Sequence, residues 1–319
     1  MNSKSLPTSF VESGSVTDFE AFESFLATAY SDILTCDPRD FPVLLSTPVR
    51  PGIRYRSELA ETVFETFNVP KLGLAEQPVL ALYAHWEGRF SPTGVVVDAG
   101  HCGVSVVPVV DGYVVASGAR RVPCGGAAVT ALIAEALLAR EEFRVGTPET
   151  AVSEISRSVK EQFGFVSQDP VRELMLFDER IHAKELMVKN DWILDVGCER
   201  FLAAESFFEP SLTGSNGLSI QAAVGQAVQS APVDYRKELF GNILLCGGSA
   251  ELPGFGKRLR AELRRGAARG KEVAVTQNLE ISKYAAWVGG SVLAEKKGWN
   301  GWTTRAEYFE QGIDRLLGD

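Results

Sequence analysis

The pattern of apolar and polar positions along the chain alternates between two forms. A short apolar run at 42–49 (PVLLSTPV), closed by prolines, predicts a strand, and the run at 242–248 (NILLCGG) predicts a buried strand. Segments 18–34 and 56–67 instead carry apolar residues three and four positions apart, which predicts amphipathic helices. Alternating strands and helices of this kind predict an α/β protein.

The same periodicities predict the remaining elements. Further strands are predicted at 71–75, on both sides of a turn at 98–103 and at the start of 193–208, and further helices at 77–86, 125–142, 148–190, 217–231, 253–265 and 284–299. Pro78 is compatible with the first turn of its helix, where a missing N–H costs nothing.

Composition narrows the classes of partner. The 319 residues are 45% hydrophobic and 23% charged, which is enough apolar sequence for a large core. The formal net charge is −9, and this argues against direct contact with nucleic acid or an anionic membrane surface. The five cysteines include no Cys-x-x-Cys pair, as expected of reduced thiols in an intracellular protein.

The N-terminal residues and the length of the apolar runs indicate where in the cell the protein is expected. No apolar run reaches the length of a transmembrane helix. Residues 1–17 are polar and lack the apolar core of a secretory signal, so they are predicted to form a mobile tail. We therefore expect an intracellular protein that does not cross a membrane.

One turn carries candidate chemistry. In 95–110 (VVVDAGHCGVSVVPVV), two apolar runs flank a turn that opens with Asp98 and Gly100. Such a turn can simply close a hairpin. A glycine-rich turn that opens with a carboxylate can also hold a phosphate and a metal ion, because glycine allows the backbone N–H groups a close approach.

Several segments, in order, resemble actin and the actin-related proteins. They are 42–51 (PVLLSTPVRP), 61–84 (ETVFETFNVPKLGLAEQPVLALYA), 234–259 (DYRKELFGNILLCGGSAELPGFGKRL) and 281–294 (ISKYAAWVGGSVLA). The resemblance implies the bilobed, ribonuclease H-like actin fold. Its first phosphate loop, the three strands around it and the small outer subdomain have no counterpart here, so the fold is expected to be truncated at its N-terminus.

The resemblance also implies a domain organisation. Residues 1–17 would precede the fold, and 18–82 with 288–319 would form the remnant of the first lobe. Residues 83–127 with 220–287 would form the second lobe, and 128–219 a helical insertion in it.

In the family, two glycine hairpins grip the phosphates of ATP with a divalent cation between the lobes. Asp98 and Gly100 match the second hairpin, but His101 and Cys102 stand where the family has a second aspartate and a second glycine. Loss of a carboxylate weakens a hydrated Mg²⁺ site, and the Cβ of Cys102 obstructs a phosphate. Gly103 could restore part of the turn if the register shifts by one residue.

The adenosine side of the family's site is better matched. The resemblance implies vestigial nucleotide-binding roles for Lys160, Glu161, Gly126, Gly247, Gly248, Lys283 and Tyr284. Each residue alone is equally explained by a solvated helix face, a tight turn or a helix end.

Catalysis is not expected. Gln77 matches the family's water-orienting glutamine, but Ser105 replaces its histidine, and hydrolysis needs water, metal and phosphate clamp together. A metal site at His101 and Cys102 is disfavoured, because the sequence has no His-x-x-x-His or paired cysteine spacing. A Cys-His dyad there is disfavoured because neighbouring residues in a hairpin point to opposite faces. Accordingly no cofactor is expected, and ATP or ADP with Mg²⁺ at weak or partner-dependent affinity is the alternative.

Two function classes remain open. The first is a non-catalytic, actin-like interaction platform in a larger assembly, with one protein partner covering the first-lobe sheet edge near residues 42–48. The second is an actin-related protein gated by ATP or ADP. The family offers chromatin-remodelling, dynactin-like, branching and axonemal dynein complexes as homes, and we expect a cytoskeletal one, with cilium and nucleus open.

Overall fold

The computed structural model describes residues 10–12, 14–85, 92–140, 143, 149–178, 183–188, 192–266 and 272–313. The chain divides into two compact units. The first comprises Met1–Glu87 and Ala286–Asp319, and the second comprises Gly88–Ala285. No helix within the described ranges is long and apolar enough to cross a membrane.

The first unit is built on a three-stranded sheet. The strands of the whole unit are β1 (Val11–Glu12), β2 (Ser15–Val16), β3 (Val43–Thr47), β4 (Lys71–Glu76) and β13 (Trp302–Thr304). The helices of the unit are α1 (Phe19–Thr28), α2 (Ile53–Glu61), α3 (Gln77–Tyr83), α11 (Ala285–Glu295, from Ala286 on) and α12 (Arg305–Gln311). The sheet order is β13-β4-β3, with β3 parallel and β13 antiparallel to β4. Helices α1 and α2 each end in a π-helical turn, at Ala29–Leu34 and Thr62–Thr66.

Both faces of this sheet are covered. One cluster of buried residues centres on Phe64 and Leu72, with Val43 and Leu45 of β3 packed against it. A second cluster centres on Leu80 and includes Leu44 of β3 among its partly buried neighbours. Strand β3 therefore has core on both of its faces.

The described part of the predicted tail is folded. Strands β1 and β2 pair antiparallel, and the Val16 N–H donates to the Tyr55 hydroxyl at 3.3 Å. The ring of Phe10 lies 6.1 Å from that of Phe22 and 5.3 Å from that of Phe25. The apolar surface of α1 explains why residues 10–17 pack there instead of forming the tail expected from their polarity.

The second unit contains a larger mixed sheet. Its strands are β5 (Gly94–Ala99), β6 (Val104–Val110), β7 (Tyr113–Val114), β8 (Arg120–Val122), β9 (Lys184–Val188), β10 (Trp192–Val196), β11 (Ile243–Cys246) and β12 (Val275–Thr276). The sheet order is β12-β11-β5-β6-β7, and β8 also pairs with β6. Strands β11 and β5 run parallel, whereas β5 and β6 form an antiparallel hairpin.

Helices pack around this sheet and extend from it. They are α4 (Gly126–Leu138), α5 (Glu149–Phe163), α6 (Pro170–Leu176), α7 (Glu199–Leu202), α8 (Ile220–Ser230), α9 (Arg236–Gly241) and α10 (Phe255–Gly266). The core is continuous, and its largest fully buried side chains include Ile133, Phe207 and Phe255. A buried ion network ties α10 to it, with the Arg258 guanidinium 2.6 Å from carboxylates of both Glu205 and Glu262.

The prediction of helix throughout 148–190 is wrong at its C-terminal end. Residues 184–188 form β9, which pairs antiparallel with β10 so that Leu186 lies opposite Leu194. Both leucines are buried. The Glu, Leu and Met of KELMV favour a helix by propensity, but cross-strand packing decides the local structure.

Candidate functional site

The turn between β5 and β6 closes a hairpin. The Gly100 N–H donates to the Gly103 carbonyl at 2.9 Å, and Asp98 pairs with Ser105 across the two strands. His101 and Cys102 are exposed at the tip. Among the residues that the structure describes, the backbone N–H groups of His101, Cys102 and Gly103 have no hydrogen-bond acceptor.

The start of α4 is bound to this turn. The Gly126 N–H donates to the Gly100 carbonyl at 3.0 Å, and the Ala127 N–H donates to the His101 carbonyl at 2.8 Å. A Cβ at Gly125 would lie 2.5 Å from the His101 carbonyl oxygen, too close for any side chain. The lack of a side chain at Gly125 therefore allows the start of α4 to contact the backbone of the turn.

The end of β11 forms the other wall. Gly247 has φ +93°, and a Cβ there would overlap the Asp98 carboxylate and lie 2.5 Å from the Ala99 carbonyl oxygen. The Ser249 hydroxyl donates to the Gly100 carbonyl at 2.9 Å. Gly248 follows directly, and a side chain at that position would meet nothing within 4 Å.

The surroundings of Asp98 and Cys246 disfavour a negative charge on either side chain. Burial raises the pKa of the Asp98 carboxyl. Burial, and the nearby Asp98, raise the pKa of the Cys246 thiol well above its usual range. Without a cation beside it, the Asp98 carboxyl therefore lies in surroundings that favour its neutral form.

Lys160 contacts the start of α4, which is bound to the turn, whereas Glu161 points elsewhere. The Lys160 ammonium donates to the Gly126 carbonyl at 3.0 Å and to the Thr130 hydroxyl at 2.9 Å. Burial lowers the pKa of Lys160. Glu161 instead pairs with Arg157 one turn earlier on an exposed face of α5, at 2.8 Å. The structure thus separates the predicted Lys-Glu pair.

Lys283 and Tyr284 reach the site through Ser282. The Gly247 N–H donates to the Ser282 carbonyl at 3.0 Å, and the Ser282 hydroxyl donates back to the Gly247 carbonyl at 3.2 Å. The Lys283 ammonium lies 4.0 Å from Glu251 and 5.4 Å from the centre of the Tyr284 ring. Tyr284 is 55% exposed.

The second unit therefore brings together most of the predicted residues, namely Asp98, Gly100, Gly126, Lys160, Gly247, Gly248, Lys283 and Tyr284. Gln77 belongs to the first unit, where it begins α3. His85 lies beside the Ala81 carbonyl in that unit, and His182 lies outside the described residues.

Three residues at the site were not predicted. Ser249 and Thr130 supply the hydroxyls described above. Arg121 lies opposite Ser105 across β6 and β8, and a Cβ at Gly103 would be 3.7 Å from its Nε. Only strand register, which depends on tertiary pairing, places this cation beside the turn.

The residues present can be tested against ATP and Mg²⁺. The glycines, Lys160, Tyr284 and the three N–H groups of the turn suit an adenosine and a phosphate. The metal set does not fit, because Asp98 is the one carboxylate of the turn and His101 stands where the family has a second one. Within the described ranges, no three His, Cys, Asp or Glu side chains are grouped so that they could hold a metal.

Comparison with known proteins agrees with this architecture. The family model described as Actin matches residues 4–316. Actin-related protein 3 of Dictyostelium discoideum is 33% identical over 332 aligned residues, which cover 96% of this chain and 79% of that protein. Actin-related protein 3 of Drosophila melanogaster is 32% identical over 332, covering 95% and 78%. The chain belongs to the actin family.

Proposed function

We propose that this actin-family chain is a structural subunit of a cytoskeletal multi-protein assembly, in which it serves as an interaction platform and does not hydrolyse ATP. One observation carries the proposal. In the β5–β6 turn, His101 and Cys102 stand at the exposed tip and Asp98 is the one carboxylate, which argues against a hydrated cation held there against a triphosphate.

The platform role is supported by the edge of the first unit's sheet. Within the described residues, β3 pairs with β4 alone. Leu72 of β4 is fully buried, whereas Val43, Leu44 and Leu45 of β3 are only partly buried although core covers both faces. The remaining exposure is at the strand edge, where free main-chain groups form a template for an added strand.

The occupant of this edge is a strand from a protein partner. The chain is similar to actin-related protein 3 of two organisms, and we take the actin-related proteins as the analogy for its place in an assembly. A cytoskeletal home suits the family and the acidic charge of −9. Localisation to cilia stays a prediction, which microscopy of a tagged chain in ciliated cells would test.

The nucleotide content of the protein tests the main proposal. The chain is purified with its native partners, small molecules are released with acid, and adenine nucleotides are quantified per chain. We expect near-zero occupancy and no phosphate release on addition of ATP and Mg²⁺. Steady ATP hydrolysis by the purified assembly would overturn the proposal.

The edge is tested separately on the isolated chain. We expect the chain without partners to self-associate, and Ser46→Lys to suppress this, since a lysine on an edge strand opposes pairing. Ser24→Lys, on the exposed surface of α1, adds the same charge away from the edge and should change nothing. A monodisperse wild-type monomer that binds no apolar dye would contradict the open-edge argument.

A second candidate function is an actin-related protein gated by nucleotide without hydrolysis. The three N–H groups at the tip of the turn favour it, together with Arg121 beside Gly103 and Lys160 at Gly126. Stoichiometric ATP or ADP in the purified assembly, combined with no hydrolysis, would select this candidate over an unliganded platform.

A further inference from the structure

A cavity of about 420 Å³ lies in the second unit, separate from the β5–β6 turn. It is lined by Phe165, Gln168, Asp169, Arg172, Glu173, Leu176, Phe177, Arg200 and Phe201. Phe201 is the buried residue among the lining aromatic rings, and its ring centre lies 5.5 Å from that of Phe165 and 6.2 Å from that of Phe177. The volume falls within the range of about 300–1,000 Å³ that is usual for binding pockets.

The cavity lining carries two arginines, Arg172 and Arg200, and two carboxylates, Asp169 and Glu173, so its formal net charge is zero. Asp169 caps α6 by accepting the Arg172 N–H at 3.0 Å, and Glu173 accepts the Ser167 hydroxyl. Each of these carboxylates thus accepts a hydrogen bond within the fold, and neither forms an ion pair with Arg172. The Arg172 guanidinium is exposed and forms no ion pair with any described residue. The rim thus carries a cation that an incoming carboxylate could meet.

Helix α6 also presents apolar side chains to solvent beside the cavity. Val171 is 62% exposed, Leu174 47%, Met175 80% and Leu176 65%. Leu176 belongs to the cavity lining as well, so the cavity and the helix surface are continuous. Four exposed apolar residues on a seven-residue helix are more than scattered surface apolar residues would give, and such patches mark interaction sites.

We propose that the cavity and α6 together bind a short segment of a partner protein that carries a large apolar or aromatic side chain flanked by Asp or Glu. The apolar side chain enters the cavity against Phe201, and a flanking carboxylate pairs with Arg172. A small molecule could fill the cavity but would leave Val171, Leu174 and Met175 uncovered. This site goes beyond the platform proposal, because it needs neither the β3 edge nor the β5–β6 turn.

The probe is the peptide acetyl-Asp-Glu-Phe-Leu-Asp-Glu-amide, labelled with fluorescein and titrated with the full-length chain. A matched peptide has Lys in place of every Asp and Glu. We expect the acidic peptide to bind at least about tenfold more tightly than the basic one. Phenylacetate at the same concentration should not displace it. Equal binding of both peptides, no binding of the acidic peptide, or binding of phenylacetate as tight as that of the peptide would each overturn the proposal.

Charge reversal at Arg172 gives a readout that a merely structural role would not. Arg172→Glu should weaken the acidic peptide about tenfold and strengthen the basic peptide. Arg264→Glu, an exposed arginine on α10, is the matched control and should leave both within about twofold. Unchanged binding by Arg172→Glu, with an unchanged unfolding temperature, would exclude the assigned contact.

The contribution of α6 can be observed directly. The chain has three methionines, so a sample labelled at the methionine methyl groups gives a simple NMR spectrum. The Met175 signal is assigned with Met175→Leu. We expect the acidic peptide to shift it and the basic peptide to leave it in place. A Met175 signal that does not respond at saturating acidic peptide would exclude α6 from the site.

Discussion

Asp98 and Cys246 lie directly opposite each other on the parallel strands β5 and β11. Burial raises the pKa of both groups, and Asp98 adds to the shift of Cys246. The two side chains thus share a surrounding that disfavours negative charge, at the position where the family resemblance places a metal-binding carboxylate. The effect of this environment on Asp98 can therefore be measured as a pH dependence of the free energy of unfolding.

Asp98→Asn is expected to increase the free energy of unfolding near neutral pH. Because the native pKa of Asp98 is raised, the native protein binds this proton more readily than the unfolded chain. Wild-type stability therefore rises as the pH falls through the raised pKa, and this gain is complete below the ordinary value of 3.8. The advantage of the variant should shrink over the same window.

Urea unfolding at a series of pH values measures this difference. Asp234→Asn, at an exposed aspartate in the same unit, is the control and should show no such trend. A variant less stable than wild type at every pH would show that the charged form of Asp98 is stabilised by its partners.

Gly247→Ala is expected to destabilise the second unit by about 3 kcal/mol. The new Cβ would overlap the Asp98 carboxylate at a φ of +93°. Gly248→Ala is a neighbouring control, since its Cβ would meet nothing within 4 Å, and it should change stability by less than about 0.5 kcal/mol. Equal effects of the two substitutions on thermal unfolding would refute the assigned contact.

The double substitution His101→Asp with Cys102→Gly is expected to increase affinity for Mg-ATP about tenfold. It restores a second carboxylate for hydrated Mg²⁺ and removes the Cβ from the tip of the turn. Titration with a fluorescent ATP analogue, with and without Mg²⁺, measures the change. If affinity stays at the wild-type level, the tip is not what limits binding.

Arg258→Ala is expected to destabilise the protein by about 3–5 kcal/mol, because it leaves the Glu205 carboxylate in the interior without its cation, whereas Glu262 keeps Arg265 at 2.8 Å. The Arg258 side chain is 8% exposed and those of Glu205 and Glu262 are 13% and 14% exposed. Arg264→Ala, at an exposed position on the same helix, should cost less than about 0.5 kcal/mol. Comparable losses in chemical denaturation would show that the buried network contributes little.

Much of the fold could be predicted from local patterns. The continuous apolar runs at β3 and β11 and the three-four spacing in α1 and α2 depend only on neighbouring residues. Strand β9 could not be predicted in this way. Its pairing of Leu186 with Leu194 is an interaction between segments, which outweighs the helix propensity of its own residues.

The site was predictable where residue type alone determines geometry. Gly247 has the positive φ that a Gly-Gly turn implies. The direction of a charged side chain was not predictable, and Glu161 turns to Arg157 while Lys160 turns to Gly126. Arg121 was missed because only sheet register brings it beside Gly103.

Among the described residues β3 pairs only with β4, and this edge also affects how the protein can be produced. Encounters between two unassembled copies increase with the square of their concentration, whereas capture by a partner increases only in proportion to it. Unpaired strand edges favour aggregation in the first case. Slow synthesis alongside the partner should therefore give more usable protein than strong expression of the chain by itself.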